Sequence, residues 1–406
     1  MGCVDVSGVA EGAGMKKLNL YEHPGHWQSS EKPTLLFVVN VDWFFLSHRL
    51  PIALEALRHG YQVHIATSLT DRLAQLQSYG LVVHPLALNR SSAGLANMLH
   101  TMWQLLRVFR TVRPDVVHLV TIKAVLLGGF AARLAGVPAI VAAISGLGFV
   151  FMASGTVAGF RRWLVGGLYR LALSHHNLKV IFQNPDDRSS LAKLMNLPNN
   201  RVETIRGSGV DLNLYCRTPL PEGVPVVLLA ARMLTDKGVR EFVQAARLLK
   251  RQGVSARFCL VGAIDPENPA SLTDAELEQW TSEKVVEVWG HQSDMPEVLR
   301  TSYLVVLPSY REGLPKVLLE AAACARAVVT TDVPGCRDAI DPGVTGVLVP
   351  ARNAIALADA LRELINNPAR CQAMGDAGRR LAEVSFDIRQ VVAAHLRMYQ
   401  ELINKS

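Results

Sequence analysis

No two of the six cysteines stand in a Cys-x-x-Cys pair or at a metal-ligand spacing, which excludes a zinc ribbon, a thioredoxin-like redox centre and a disulfide-stapled secreted scaffold. They read as reduced, mostly buried thiols of a cytoplasmic protein. Charged residues are scarce, at 19% against 50% hydrophobic, so neither a disordered chain nor a coiled coil fits. No Gly-x-Gly-x-x-Gly follows the first apolar run, which counts against an NAD or FAD site there. Low-complexity tracts and short repeats are absent. The stretch 149–174, apolar for much of its length, carries Arg161, Arg162 and Arg170, and an arginine near a bilayer centre costs about 2.5 to 3.5 kcal/mol. That stretch will not span a membrane. Met15-Lys16-Lys17 mimics the basic start of a signal peptide, but residues 18–24 supply no apolar core, and Val6 stands where a myristoylation site needs Ser or Thr.

What the chain contains is a repeated strand, loop and helix pattern, with 406 residues leaving room for two domains of about 200 each. Apolar runs of strand length lie at Leu35–Val39, 62–66, 82–86, 116–120, 139–143 and 179–182. Asn40-Val41-Asp42-Trp43-Phe44 reads as a loop, and Leu46 to Arg58 has helical spacing that stops at Gly60. Runs of this kind mark strands buried on both faces, so the economical topology is a doubly wound parallel sheet. Glycines and prolines cluster at 206–224, as in a hinge. Beyond it a second unit begins at Val226–Ala230, with strands expected at 258–261, 285–289 and 304–307 and three helices from about Ala354. The expected division is a flexible extension (1–32), an N-terminal Rossmann-like domain (33–206), a linker (207–224), a C-terminal Rossmann-like domain (225–385) and a last helix (386–406) placed to cross back to the first domain.

The net charge of +7 is uneven. Residues 1–205 hold 19 lysines and arginines against 11 carboxylates. A basic half suits anionic partners, a pyrophosphate or lipid headgroups; nucleic acid fits poorly, since no recognition motif or aromatic-laced basic stripe is present. Two basic amphipathic helices are expected. Ala93–Arg113 has Leu95, Met98, Leu99, Met102, Leu105, Leu106 and Phe109 as its stripe, and 149–174 has Val157, Phe160, Leu164, Leu168 and Leu171. For either, the stripe is core or an interfacial membrane contact, and the charge of the half favours a peripheral membrane role.

The residues that carry chemistry gather in Arg311-Glu312-Gly313-Leu314-Pro315-Lys316-Val317-Leu318-Leu319-Glu320-Ala321. Glu312 lies in a loop and Glu320 in a helix that Pro315 opens. The amides of Gly313, Leu314, Pro315 and Lys316 mark the positive end of that helix, suited to phosphate or sugar oxygens, although proline itself has no N–H to give. Glu320 is either a binding carboxylate or a solvated helix position. Arg232 and Lys237 follow a strand end and could clamp a diphosphate without a metal; alternatively they are surface cations. In the first domain, residues just past strand ends include Asp42, His118 with Lys123, and Ser145-Gly146-Leu147-Gly148. His118 reads equally as ligand contact or packed histidine. Asp42, His48 and Arg49 could face a polar acceptor or form an ordinary helix cap.

Arg232, Lys237, the Glu312–Glu320 pair, Gly207-Ser208-Gly209-Val210-Asp211 and Pro334-Gly335-Cys336-Arg337 together resemble retaining glycosyltransferases of family 4, which have the GT-B fold: two Rossmann-like domains facing each other across a cleft. The likeness covers nearly everything from residue 34 on. Asn40 to Pro51 and Ser145 to Phe151 look like the bacterial branch that extends undecaprenyl-diphosphate-linked glycans for O-antigen, capsule or protein glycosylation.

The resemblance implies a nucleotide-sugar donor held by the C-terminal domain. Arg232 and Lys237 would neutralise its diphosphate, Glu320 would bind the ribose, and Glu312 with the 313–316 backbone would hold the transferred sugar. His118 would reach that sugar across the cleft, Gly146 would join the donor site, and Asp42, His48 and Arg49 would meet a polyprenyl-diphosphate-linked glycan. It further implies retention of anomeric configuration, no cofactor and no metal, which agrees with the lack of an Asp-x-Asp motif. UDP-N-acetylhexosamine is the donor that the branch points to, at the inner face of the cytoplasmic membrane. One departure is plain: Asn40 to Phe44 replaces the family's glycine-rich first loop. A nucleotide-sugar 2-epimerase and a catalytically silent nucleotide-sugar-binding scaffold remain the alternatives.

Overall fold

The computed structural model describes residues 32–88, 94–144, 165–266 and 268–405. The first domain is a seven-stranded sheet built from β1 (Thr34–Val41), β2 (Gln62–Ser68), β3 (Val82–Pro85), β4 (Val116–Val120), β5 (Ala139–Ile144), β6 (Leu178–Phe182) and β7 (Val202–Thr204) in the order β3-β2-β1-β4-β5-β6-β7. The second has six strands, β8 (Val226–Ala230), β9 (Arg257–Val261), β10 (Glu287–Gly290), β11 (Leu304–Leu307), β12 (Ala327–Thr331) and β13 (Gly346–Val349), in the order β10-β9-β8-β11-β12-β13. Every pairing is parallel. Both sheets are therefore doubly wound, as expected from the apolar runs. Each changes winding direction once, between β1 and β4 and between β8 and β11, and in such folds ligands bind beyond the strand carboxyl ends at that point.

Helices cover both faces. Among the described residues of the first domain they are α1 (Asp42–His48), α2 (Leu50–Arg58), α3 (Leu73–Ser78), α4 (Leu95–Val112), α5 (Ile122–Ala135) and α6 (Pro185–Met195), besides a helical stretch at 165–172; in the second, α7 (Val239–Arg251), α8 (Asp274–Ser282), α9 (Met295–Thr301), α10 (Lys316–Ala323), α11 (Ala354–Ile365), α12 (Pro368–Ser385) and α13 (Ile388–Ile403). Their inner faces follow the helical period: Val239, Phe242, Val243, Ala246 and Leu249 of α7 are all buried. The last helix, α13, leaves the second domain and packs on the first. Ile388, Val391, Val392, Leu396 and Tyr399 share one core with Leu35, Phe37 and Val39 of β1 and with Ile52 and Ala56 of α2.

Three local expectations are corrected. Asp42 to Phe44 are the first turn of α1 rather than loop, and the single helix expected from Leu46 to Arg58 is two. The break falls at Arg49 because Pro51 sits in the first turn of α2, where its ring and missing N–H end the preceding helix. The strand expected at 285–289 is β10, starting at Glu287. Among the described residues no helix is long and apolar enough to cross a membrane.

Candidate active site

At the switch point of the second sheet, three loops bring charged side chains together. The first follows β8. A turn of 3-10 helix, Thr235–Lys237, ends on Gly238 with φ +71°, and a Cβ there would stand 2.1 Å from the Pro308 carbonyl oxygen. Only glycine permits that approach of the turn to the end of β11. It delivers Lys237 to the second loop, where its ammonium Nζ lies 2.5 Å from Glu312 Oε1. Ser309 Oγ donates to the same carboxylate oxygen at 2.7 Å. Arg232, from the start of the first loop, pairs with Asp265 at 2.8 Å and keeps 42% of its side chain exposed. The third loop braces the second: the Glu312 N–H donates to the Pro334 carbonyl, and Gly335, at φ +82°, has room for no Cβ because Glu312 O would be 2.5 Å away.

Pro315 caps α10, which starts at Lys316. Glu320 is 5% exposed, so the solvated alternative does not hold. Its Oε1 accepts from Tyr215 OH at 2.7 Å and pairs with Lys316 Nζ at 3.1 Å. Burial and the Glu320 carboxylate together push the Tyr215 hydroxyl's pKa upward, so it stays a donor. Glu312, Lys237, Arg232 and the 313–315 backbone, on loops, and Lys316 and Glu320, on the first turns of α10, thus gather at one end of one sheet. Among the described residues no group of three or more His, Cys, Asp or Glu converges as metal ligands.

The first domain contributes differently from the expectation. His118 is fully buried in mid-strand; on the alternating β4 it shares its face with Val116 and Val120, and that face is covered by α13. Its Nδ1 lies 2.6 Å from Tyr399 OH and its ring is 5.4 Å from that of His395. This placement corrects the expectation that it reaches a sugar across the cleft. Asp42, also fully buried, is occupied by Thr70, which donates its N–H at 2.7 Å and its hydroxyl at 2.9 Å, and by the Trp43 N–H. Arg49 is 3% exposed and donates to the His48 carbonyl. Asp42 and Arg49 are therefore internal braces in this structure.

His48 is the exception among the three. Its Nδ1 lies 3.2 Å from the Phe44 carbonyl and its ring stacks on Phe44 at 4.1 Å. Burial, then the charge of Lys316 from the opposite domain, then Arg49, lower its pKa to about 3. A neutral ring donating through Nδ1 leaves Nε2 as an acceptor. Gly146 lies outside the described residues.

Residues that sequence reasoning passed over hold the domains together. Asn184 caps α6 by accepting the Asp187 N–H, and its amide donates to the Gly313 carbonyl at 2.7 Å. Asp187, 1% exposed, takes an ion pair from Arg311, and Arg337 pairs with Asp186 at 3.2 Å. Asn184-Pro185-Asp186-Asp187 is legible as a helix start, but its reach into the 311–313 loop is not.

A family model described as "Glycosyl transferase 4-like" matches residues 34–184, and one described as "Glycosyl transferases group 1" matches residues 224–367. The N,N'-diacetylbacillosaminyl-diphospho-undecaprenol alpha-1,3-N-acetylgalactosaminyltransferase of Campylobacter jejuni is 28% identical over 88% of this chain and 98% of its own. Among solved structures, a glycosyltransferase from Rickettsia africae aligns with TM-score 0.72 at 18% identity, covering 92% of this chain and all of that one. Anabaena HepE in complex with UDP aligns with TM-score 0.69 at 18% identity, over 90% of this chain and 99% of its own. At such identity these structures speak for the fold. With two matching domain models, a relative spanning nearly its whole length and two doubly wound parallel sheets, the chain belongs to the group 1 and 4-like glycosyltransferases of GT-B fold.

Proposed function

We propose that this protein is a retaining, metal-independent glycosyltransferase that moves a sugar, an N-acetylhexosamine from UDP as first choice, onto a polyprenyl-diphosphate-linked glycan at the inner face of the cytoplasmic membrane. The Lys237–Glu312 pair at the switch point of the second sheet carries the proposal. A cation and a carboxylate in one place can meet the two ends of the bond to be broken: Lys237, with Arg232, meets the diphosphate, and Glu312 accepts from sugar hydroxyls. The amides of Gly313, Leu314 and Lys316 add donors there. Glu320, oriented by Tyr215 and Lys316, is assigned to the ribose hydroxyls.

In the reaction the acceptor hydroxyl attacks the anomeric carbon from the face the diphosphate leaves. The sugar–phosphate C–O bond breaks, the new glycosidic C–O bond forms, and the leaving phosphate oxygen takes the hydroxyl proton. No protein base is needed. Neutral His48, with Nε2 open as an acceptor beside Lys316, is assigned to the acceptor side. The acceptor class follows that of the Campylobacter relative, and UDP follows the ligand bound in Anabaena HepE.

The test is transfer by wild-type and Glu312→Ala protein in EDTA, with UDP-, GDP- and dTDP-sugars and a short-chain polyprenyl-diphosphate glycan. Expected is one productive donor, an α-linked product from an α-linked donor, and loss of product in the variant with nucleotide binding retained. A C2-epimerised sugar would mean an epimerase. Nucleotide binding with no donor consumed would leave a scaffold.

A further inference from the structure

We propose that Asn184, the cap of α6 in the first domain, is a positioning residue for the donor site of the second: its side-chain amide fixes the peptide between Gly313 and Leu314, and so aims the Leu314 N–H and seats the adjoining Glu312. Asn184 is fully buried, and both polar atoms of its side chain are engaged. Oδ1 accepts the Asp187 N–H at 2.7 Å, while Nδ2 donates to the Gly313 carbonyl at 2.7 Å and to Asp187 Oδ2 at 3.1 Å. An oxygen facing an N–H and a nitrogen facing two oxygens leave one orientation for the amide. Capping needs only the oxygen, which serine, threonine or aspartate would supply as well. The nitrogen is the part that capping does not explain.

The peptide it holds is the one with most freedom in its loop. Pro315 locks its own φ and biases Leu314 toward extended backbone, and the Glu312 N–H is tied to the Pro334 carbonyl at 3.2 Å. Between these fixed points stands Gly313, which resists rotation of the following peptide less than any other residue. In a trans peptide the C=O and the N–H point opposite ways. Drawing the Gly313 carbonyl toward α6 therefore turns the Leu314 N–H away from it, and among the described residues that N–H meets no protein acceptor. The Leu314 side chain is buried against Gly207 of the linker, where a Cβ would stand 3.0 Å from Leu314 Cδ2. An oriented amide beside Glu312 is what a diphosphate or sugar oxygen requires.

The contact crosses the domain boundary, and its neighbours cross it too. Arg311, on the other side of Glu312, pairs with Asp187, and Arg337, just beyond Gly335, pairs with Asp186 at 3.2 Å. The start of α6 thus grips the 311–313 segment on both flanks of Glu312, and the donor site takes its working geometry when the two domains are seated on each other. This deepens the transferase reading and rests on it: the first domain gives shape to the donor half of the site, apart from whatever it offers the acceptor.

The test sets Asn184→Ser against Asp186→Ala in the full chain. Serine keeps the cap of α6 but has no amide to reach Gly313; the second variant removes the exposed pair with Arg337 and leaves the Gly313 carbonyl held. Asn184→Ser should keep its melting temperature and acceptor KM, lose roughly tenfold or more in kcat/KM for the donor, and show faster hydrogen exchange at 312–316 in saturating UDP. Asp186→Ala should stay near wild type in all of these. Asn184→Asp, whose carboxyl donates only when protonated, should recover relative to wild type as pH falls. Wild-type kinetics and exchange in Asn184→Ser overturn the proposal. An equal loss in Asp186→Ala would make the contact domain glue alone, and a loss that follows a lowered melting temperature would make it fold stability alone; either overturns it. If wild type transfers no sugar, the transferase reading falls, and exchange at 312–316 in wild type against Asn184→Ser, with and without UDP, still decides the role of Asn184.

Discussion

Lys237 Nζ and Glu312 Oε1 are 2.5 Å apart, though 75 residues separate them in the chain. Each holds the other in place, so neither can be removed alone without disturbing its partner. Lys237→Ala and Glu312→Ala should each lower kcat/KM by at least about a hundredfold. The double variant should be little worse than the worse single, because groups that act as a unit are not additive. Steady-state kinetics on the four proteins checks this; independent, multiplying losses would separate the two roles.

Tyr215→Phe removes one donor from the buried Glu320 carboxylate and leaves Lys316. The expected cost is about 1 to 3 kcal/mol of stability, together with weaker nucleotide binding. Chemical denaturation and calorimetric titration measure the two separately. A stable variant with unchanged affinity would show that the tyrosine does not orient the carboxylate.

Arg311→Ala leaves the Asp187 carboxylate buried with the Asn184 amide donating to it but without its cation. Removing one member of a buried pair costs about 3 to 5 kcal/mol, and here the cost falls on the domain boundary. The cleft should open, seen as a larger radius of gyration in solution scattering and faster hydrogen exchange at 311–316. Nucleotide should protect both cleft faces in wild type, and less so in the variant.

Three neutral histidines set an acid limit. Burial lowers the pKa of His48 and His395 to about 3 and that of His118 well below its ordinary value, with the positive charge of Arg49 acting in the same direction on all three. The unfolded chain takes up these protons near pH 6.5 and the folded one does not, so their contribution is complete above that pH and falls away as pH drops from about 6.5 toward 3. Denaturation at stepped pH should show the decline. His118→Gln/His395→Gln should flatten it, and an equal slope in that variant would place the sensitivity elsewhere.

The fold class was legible because parallel strands buried on both faces are continuous apolar runs: Leu35–Val39 and Val226–Ala230 need no partner to be recognised. The placement of His118 was not, since a strand buried on both faces gives no local sign that α13 closes over this side chain. Glu320 was ambiguous for a similar reason, its hydroxyl partner lying 105 residues away. The break at Arg49 had a local signal in Pro51. The Asn184–Gly313 contact spans 129 residues and had none.

The contact between His118 and Tyr399 closes a loop of 281 residues. Non-local contacts form slowly, and domains emerge from the ribosome in chain order. The first sheet therefore leaves the exit tunnel with its Leu35, Phe37 and Val39 face covered by α1 and α2 but with the β4 and β5 part of that face, around Val116, Val120 and Val141, still open, and waits through synthesis of the whole second domain for the helix that completes it. Chaperone capture during that interval, and loss of soluble protein on trimming α13, are properties built into the connectivity.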